Sequence, residues 1–389
     1  MLIIYFSIPI VFFHILFIIY LIRYYDFKEF IFWILLKKQN NKHIKYIKTQ
    51  YKESNKKIEN IEEIINILQL INKGKFIEHH IATPAWYPII SLESCDNELW
   101  KEVKQNFIIF IQHFNNINKE KKEPNQLSYY IETNIQEIIT QNKVINSILI
   151  SKITVKSICQ YLFNYILDDF ETEILYKSSV EWKKEIAMKG KGDLFMKKKA
   201  IQIMINIINN NSKIYDIFGS HWENPKYYSV IMQPFIISPM INIPDILCNV
   251  ELLLQQKKLN ITDEVNYTLI DKCIYSYHPF PILERYDPIT DTQYFISLDN
   301  LVNFDNFDKK TNILVFGSGI RKCAGSQYAY QILQPFIKSY FDNIHYNQCI
   351  NFSPIQNHVY SGRINDNDFD IYQLTYMCYR ILYILFFSK

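Results

Sequence analysis

Apolar residues recur every three to four positions along most of the chain, a spacing that predicts amphipathic α-helices. One apolar stripe follows Ser54, which can cap a helix, and stops at Gly74. Two more cover residues 99–114 and 155–170, and the second of these predicts a core helix. Residues 289–304 alternate in polarity and are rich in β-branched side chains, which indicates short strands. The pattern therefore predicts a mostly helical fold with small β-sheets.

The first residues follow a different pattern, because residues 2–22 are almost unbroken apolar and aromatic. A helix of this length reaches about 31 Å, which matches the hydrocarbon core of a bilayer. Basic residues follow this segment and none precedes it, so the positive-inside rule places the bulk of the protein in the cytosol. A signal peptide would need a basic start and a small-residue cleavage site, and the segment has neither. A buried core helix is the alternative.

This pattern predicts three regions. Residues 1–24 are expected to form a single transmembrane signal anchor, and residues 25–53 a basic juxtamembrane linker. Residues 54–389 are expected to form one globular domain on the cytosolic side of the membrane.

Charge and cysteine content narrow the possible functions. The net charge of +3 over 389 residues is too small to indicate a nucleic-acid partner. The seven cysteines are widely spaced, without C-x-x-C or zinc-finger spacing, which indicates reduced thiols rather than a disulfide framework. Residues 182–199 carry seven lysines. A solvated face and contact with an anionic membrane surface both remain open for this stretch.

The most unusual stretch is F-G-S-G-I-R-K-C-A-G at positions 316–325. It holds three of the chain's eight glycines, which indicates unusual backbone angles or close approach to a bulky group. Helical spacing begins directly afterwards, so Cys323 precedes a helix N-terminus. The helix dipole and Arg321 are both expected to favour the thiolate. Such a thiolate can serve as a nucleophile, a redox switch or a metal ligand.

The pattern F-x-x-G-x-R-x-C-x-G resembles the haem-binding loop of the cytochrome P450 family. The resemblance implies that Cys323 is the catalytic residue and the axial thiolate ligand of the iron in haem b (iron protoporphyrin). It also implies that Phe316 shields the sulfur and that Arg321 pairs with a haem propionate. Gly325, by the same matching, lets the following helix lie close to the porphyrin.

Two further segments are similar to the family's motifs. Trp100 and Lys104 lie four residues apart, as in the W-x-x-x-R/K pair whose side chains reach a propionate. The segment P-F-P-I-L-E-R at 279–285 resembles P-x-P-x-x-x-R, which implies that Arg285 binds a propionate. The implied architecture is a P450-like haem domain, mostly α with small β-sheets, after an N-terminal transmembrane helix.

The central region departs from the family. Residues 227–256 correspond to the long helix that crosses the haem and carries an acid and a Thr for oxygen activation. This stretch has no Thr, and its nearest polar substitutes are Ser238 and Asn242. It also contains three prolines, each of which removes a helical hydrogen bond, so a continuous helix is not expected.

A second departure is the absence of the family's E-x-x-R motif from the whole chain. Counting back from Pro279 places its two positions at Lys272 and Tyr275. In the family that ion pair braces the loop that carries the Cys.

The resemblance implies a membrane-bound haem-thiolate monooxygenase that oxidises a lipophilic substrate with O2. Electrons would come from a separate reductase, for which Lys101, Lys104 and Lys322 offer a basic docking face. Two alternatives stay open because of the departures. One is a haem-thiolate enzyme that rearranges peroxides, and the other is a diverged protein with the P450 fold that only binds haem or a ligand.

Overall fold

A computed structural model describes most of the domain. The described residues are 43–48, 61–74, 78, 82–119, 126–141, 143–186, 191–276, 278, 282–297, 314–343, 350 and 352. The predicted membrane anchor at 1–24 lies outside them. Most of the described residues are helical, as the apolar pattern predicts.

The described residues contain twelve α-helices. They are α1 (Ile61–Leu68), α2 (Thr83–Trp86), α3 (Asn97–Lys119), α4 (Leu127–Thr140), α5 (Ser147–Phe163), α6 (Asp169–Ile186), α7 (Leu194–Asn209), α8 (Ser212–Phe218), α9 (Pro225–Ile231), α10 (Ser238–Gln255), α11 (Tyr267–Ser276) and α12 (Ser326–Asn343). Two 3₁₀ turns cover Gly219–Glu223 and Gly319–Arg321, and a π-helical segment covers Met232–Ile237.

A three-stranded sheet accompanies the helices. Strands β2 (Ile282–Asp287) and β3 (Thr292–Ser297) form an antiparallel hairpin in which Arg285 lies opposite Tyr294. Strand β1 (His43–Lys48) pairs in parallel with β3, which gives the order β1–β3–β2. Strand β1 lies within the linker predicted over 25–53, and its backbone is paired in the sheet.

One long helical rod runs through the middle of the fold. It consists of α9, the π-helical segment and α10, and it spans Pro225–Gln255; we call it the central helix. The sequence-based expectation that three prolines would prevent a continuous helix here is wrong. Within the described ranges it is the single helix long and apolar enough to cross a membrane, but it is mostly buried inside the protein. Its apolarity is thus explained by its place in the core.

Local substitutes for lost hydrogen bonds explain how the central helix tolerates proline. Pro234 lies in the π-helical segment, and Pro239 lies in the first turn of α10. Pro244 lies inside α10 and removes the N–H that would bond to the carbonyl of Met240. The hydroxyl of Ser151 on α5 donates to that carbonyl oxygen instead, at 3.0 Å. A neighbouring helix therefore supplies the donor that the proline lacks.

The apolar stripe over 155–170 forms two elements rather than one. Helix α5 ends at Phe163, where Asn164 adopts a left-handed conformation and reverses the chain. The side chains of Val155 to Phe163 on the stripe are buried, as predicted. Ile166 and Phe170, predicted as core, are 77% and 69% exposed, because they lie beyond the helix end.

The lysine-rich stretch at 182–199 is only partly a surface feature. Lys183 is buried and its ammonium lies 2.8 Å from the Asp245 carboxylate on α10. Lys197 is also buried; it pairs with Glu185 at 3.1 Å and lies over the ring of Trp182. For these two lysines neither a solvated face nor a membrane contact is the explanation, since both hold helices together inside the fold.

Candidate functional site

Residues 314–325, here called the Cys loop, have a backbone held by their own hydrogen bonds. The N–H of Cys323 donates to the carbonyl of Phe316 at 2.8 Å, and the N–H of Gly317 donates to the carbonyl of Leu314 at 3.1 Å. Gly317 and Gly319 have φ values of +71° and +72°, which favour glycine. A Cβ on Gly319 would lie 2.5 Å from the Leu68 carbonyl oxygen. The loop therefore needs glycine at 319 both for its conformation and for its approach to α1.

A cavity of about 340 Å³ opens beside the Cys loop. Its walls are the Cys loop, the central helix, the start of α3, the segment around α2, and strand β2. Most lining side chains are apolar, and a few charged groups converge among them. The seven residues that the resemblance assigns to haem binding all line this cavity: Trp100, Lys104, Arg285, Phe316, Arg321, Cys323 and Gly325.

Cys323 has an environment that differs from the sequence-based expectation of an ionised sulfur. The Cys323 side chain is exposed to the open cavity, but the protein around it reduces its solvation and so raises the pKa of the thiol to about 11; the carboxyl of Glu93 adds to that rise. The backbone N–H of Gly325 and the ammonium groups of Lys104 and Lys322 act in the opposite direction. The loop alone therefore favours the thiol over the thiolate at neutral pH. A metal ion bound to the sulfur would reverse this preference, because a coordinating thiol loses its proton.

Arg321 is fully engaged with protein groups. It forms a buried ion pair with Asp96 and donates to the carbonyls of Ile71, Leu92 and Cys95. Its guanidinium also lies over the ring of Trp100, with 4.8 Å between the guanidinium carbon and the ring centroid. Arg321 is thus occupied in joining the Cys loop to the chain before α3, whereas the resemblance implied a propionate partner.

Arg285 is buried in strand β2 and lines the cavity with only part of its guanidinium satisfied. One terminal nitrogen donates to the carbonyl of Glu284 at 2.7 Å. The Nε has no hydrogen-bond acceptor among the residues that the structure describes. Burial, with the nearby charge of Arg321, lowers the pKa of Arg285 to about 10. A bound anion would supply the missing acceptor.

Trp100 and Lys104 lie one turn apart on α3, and both face the cavity. Burial lowers the pKa of Lys104, and its ammonium lies 5.5 Å from the ring centroid of Phe107. The pair therefore adds a second cationic group and an indole N–H to the same wall.

Two charged cavity residues were missed from the sequence. Lys73 has its ammonium 3.6 Å from the Glu284 carboxylate, and burial lowers its pKa. Glu93 lines the same region, and burial raises the pKa of its carboxyl. Neither residue belongs to a short motif, and each reaches the cavity from a turn. Only the tertiary fold brings them to the Cys loop.

Phe316 and Gly325 complete the surroundings of the sulfur. The ring of Phe316 packs edge-on against Tyr330 of α12, with 5.2 Å between the ring centroids. A Cβ on Gly325 would lie 3.7 Å from the Pro234 carbonyl oxygen and 4.0 Å from the Cys323 sulfur. These are ordinary contact distances, so the structure alone does not require glycine at 325.

The central helix presents three polar side chains to the cavity, Gln233, Ser238 and Asn242, and the last two lie one turn apart. The Ser238 hydroxyl oxygen finds no hydrogen-bond partner within the described part of the chain. The nearest acid along this helix, Asp245, does not line the cavity and is paired with Lys183. The wall opposite the Cys loop is therefore polar at only a few points.

Residues 86–96, which join α2 to α3, are secured by side chains from several helices; we call them the 86–96 segment. The indole of Trp182 donates to the carbonyl of Trp86 at 2.9 Å, and the Tyr228 hydroxyl donates to that of Pro88 at 3.1 Å. Lys197 reaches the carbonyl of Tyr87 between them, at 3.3 Å. Further along, Ser229 and Gln233 accept from backbone N–H groups, and Arg321 donates to two carbonyls. This segment thus connects α6, α7 and the central helix to the Cys loop.

No protein-family model matches this chain, and a search of curated proteins finds no match. Solved structures do match. P450BioI, in complex with an acyl carrier protein ligated to hexadec-9Z-enoic acid, aligns with a TM-score of 0.52 and 16% identity over 77% of this chain and 85% of that one. Cytochrome P450EX alpha (CYP152N1) with myristic acid aligns with a TM-score of 0.50 and 11% identity, covering 76% and 80%. At such low identities the likeness establishes the fold alone.

Proposed function

Because the chain has the cytochrome P450 fold, we propose that it is a haem-thiolate protein in which Cys323 is the axial ligand of the iron of haem b. The observation that carries this proposal is the position of the Cys323 side chain. It opens into a largely apolar cavity whose rim carries Trp100, Lys104 and Arg285. A flat apolar group with two carboxylates would find suitable partners on these walls.

The charges of the cavity support the fit of haem in particular. The buried Arg285 Nε lacks an acceptor among the described residues, and Lys104 and Lys73 are desolvated ammonium groups on the same rim. Propionate carboxylates would satisfy such groups. We propose Arg285, Lys104 and Trp100 as the propionate-binding residues. Arg321, which the resemblance placed with them, is proposed instead to hold the Cys loop against Asp96.

Haem with a thiolate ligand supplies oxygen activation when it is bound. The residues of this chain would do the rest. The Gly325 N–H would donate to the sulfur, Phe316 would shield it from water, and the apolar walls would hold a lipophilic substrate. The two neighbouring structures hold fatty acyl chains, which also favours a lipophilic substrate.

A carbon monoxide spectrum tests this proposal. The reduced full-length protein, loaded with haem and treated with carbon monoxide, should show the red-shifted Soret band of a thiolate-ligated haem. Cys323→Ser should abolish that band. Cys159→Ala, which changes a buried cysteine of α5 away from the cavity, should retain it. An unshifted band in the wild type, or an unchanged band in Cys323→Ser, would overturn the assignment.

The proposed reaction is monooxygenation with electrons from a separate reductase. The central helix favours a second candidate, because it offers Ser238 and Asn242 where an acid and a Thr would deliver protons. That candidate is a haem-thiolate protein that uses peroxides, or that binds a ligand without turnover. Substrate-dependent NADPH consumption with a generic reductase supports the first. Conversion of a lipid peroxide without NADPH supports the second, and neither activity despite the red-shifted band supports ligand binding.

We also propose that residues 1–24 anchor the domain in a membrane, with the domain on the cytosolic side. The apolar run over 2–22 and the basic residues after it support this. Because β1 belongs to the sheet, the proposed linker ends before residue 43. Deleting residues 2–22 should move the protein from the carbonate-resistant membrane fraction to the supernatant, and retention in the membrane fraction would contradict the proposal.

A further inference from the structure

The chain lacks E-x-x-R, yet one face of α11 contacts the Cys loop at the place where a brace is needed. The N–H of Leu314 donates to the hydroxyl oxygen of Tyr275 at 2.9 Å, and this contact is buried. The Nε2 of His278 lies 3.0 Å from the carbonyl oxygen of Val315. When the proton of the imidazole is on Nε2, this nitrogen donates a hydrogen bond to that carbonyl. Two consecutive residues at the start of the loop are therefore bonded through their backbone to side chains at the end of α11.

A second set of contacts joins the same face of α11 to the helix that follows the Cys. The Tyr330 hydroxyl of α12 donates to the Asp271 carboxylate at 2.5 Å. The Tyr330 ring stacks on Tyr267, with 4.4 Å between centroids, and meets Phe316 of the Cys loop edge-on at 5.2 Å. Asp271 and Tyr275 lie four residues apart and so project from one face of the helix.

We infer that Tyr275, together with the Asp271–Tyr330 pair, forms a hydrogen-bonded brace that positions the Cys loop in place of an ion pair. The two contact sets lie on both sides of Cys323. One is at Leu314 and Val315, before the cysteine, and the other is at Tyr330, after it. The inference rests on the proposed function only for its consequence, which is that the brace keeps the sulfur in register with the haem iron. These three are positioning residues, since none touches the proposed iron ligand.

Backbone contact distinguishes this arrangement from ordinary core packing. The Tyr275 hydroxyl accepts from a main-chain group of the loop, so its loss leaves the buried Leu314 N–H without that acceptor. A ring of the same shape would preserve packing but not this bond. Replacing Tyr275 by Phe should therefore loosen the loop without changing the volume of the core.

Amide hydrogen exchange on the protein without haem tests the brace directly. In Tyr275→Phe, exchange across residues 314–323 should become about tenfold faster, the effect of losing one hydrogen bond. Exchange in α5 should not change. The control is Tyr340→Phe, at a buried tyrosine on α12. The hydroxyl of Tyr340 makes no hydrogen bond within the described residues, and its ring packs against Phe341 and Phe352. This control should leave the loop's exchange at the wild-type rate.

A spectroscopic arm tests the consequence. In haem-loaded Tyr275→Phe, part of the carbon monoxide complex should shift from the red-shifted to the unshifted Soret band. Asp271→Leu should do the same, and Asp271→Asn, which keeps a carbonyl acceptor for Tyr330, should restore most of the red-shifted band. Should Tyr275→Phe fail to fold, the Asp271 pair of variants gives the same comparison.

The outcomes separate this inference from the proposed function. If the wild type shows no red-shifted band, the proposed function fails, and the exchange experiment still decides the brace. If exchange across 314–323 is the same in Tyr275→Phe and wild type, the brace is wrong even where the band is present. If both arms change as expected, this chain holds the Cys loop with hydrogen bonds from α11 where the family uses an ion pair.

Discussion

The Cys loop and the central helix form two walls of the same cavity, but they keep their shapes by different means. The Cys loop is closed by its own backbone hydrogen bonds and by glycines at positive φ. The central helix contains three prolines after its first residue and depends on side chains of other helices, chiefly Ser151 of α5 and Lys183 of α6. The difference teaches that a structure held by contacts between residues close along the chain can be predicted from a short motif. A structure that depends on residues distant along the chain cannot be predicted in this way.

The largest effect should come from the buried pair between Lys183 and Asp245, which joins α6 to the central helix. Asp245→Ala removes the carboxylate beside a buried ammonium and should lower the free energy of unfolding by about 3–5 kcal/mol. Urea denaturation measures it. The double variant Lys183→Met/Asp245→Leu should recover most of the loss, because both charges are then gone. A cost below about 1 kcal/mol for Asp245→Ala would mean that the central helix does not depend on α6.

The Cys loop should respond to a change of backbone freedom instead. Gly319→Ala should cost about 3 kcal/mol, because a positive φ disfavours alanine and the new Cβ would meet the Leu68 carbonyl at 2.5 Å. Gly317→Ala is the matched control, since its φ is similar and its Cβ would meet nothing within 4 Å. It should cost about 1–2 kcal/mol. Equal losses from the two variants in thermal unfolding would show that contact with α1 does not shape the loop.

The proline in the central helix allows a sharper test on the other wall. Ser151→Ala should lower the free energy of unfolding by about 1–2 kcal/mol, because the buried Met240 carbonyl loses its donor. In a Pro244→Ala background the helix regains its own N–H, so the same serine change should cost much less. A double-mutant cycle measures this coupling. Independent effects of the two changes would argue that Ser151 does not replace the missing helical bond.

The smallest effect should be a loss of stability at alkaline pH that depends on the hydroxyl of Tyr228 on α9. Burial raises the pKa of this hydroxyl to about 12, and the nearby Tyr87 adds to the rise. The folded state therefore holds the proton more tightly than the unfolded state, whose tyrosine titrates near 10. Stability from this group is present below pH 10 and is lost as the pH rises toward 12.

Tyr228→Phe removes both the titration and the hydrogen bond to Pro88. At pH 7 the variant should be less stable by about 1 kcal/mol or less. Above pH 10 its deficit should shrink, because only the wild type loses the contribution of the Tyr228 hydroxyl. Urea unfolding at pH 7, 9 and 10.5 gives the comparison. A deficit that stays constant with pH would show that the Tyr228 hydroxyl does not titrate differently in the two states.

The sequence was sufficient wherever local spacing decides the structure. The offsets from Phe316 to Gly325 predicted the loop, and the stripe over 99–114 predicted α3 with Trp100 and Lys104 on one face. Residues 289–304 predicted a strand, which appears as β3. Each of these features depends on residues that are close along the chain.

The sequence was insufficient wherever the partner is distant. The prolines predicted a break in the central helix because the donor from Ser151 lies 89 positions before Met240. The ion pair between Arg321 and Asp96 could not be predicted, because it spans 225 positions. Lys73 and Glu93 were missed for the same reason, and the lysines at 183 and 197 looked like surface residues. Composition and periodicity carry no information about such pairings.

The 86–96 segment has a consequence for how this protein could change over generations. Its main-chain groups are held by several different residues, among them Trp182, Lys197, Tyr228 and Arg321. A strand in a sheet shares its bonds with one neighbour and is released as a unit. In the 86–96 segment, replacing one of these side chains removes its own hydrogen bonds to the main chain and leaves those of the other side chains in place. Single substitutions can therefore change the shape of the cavity in small steps without changing the position of any helix.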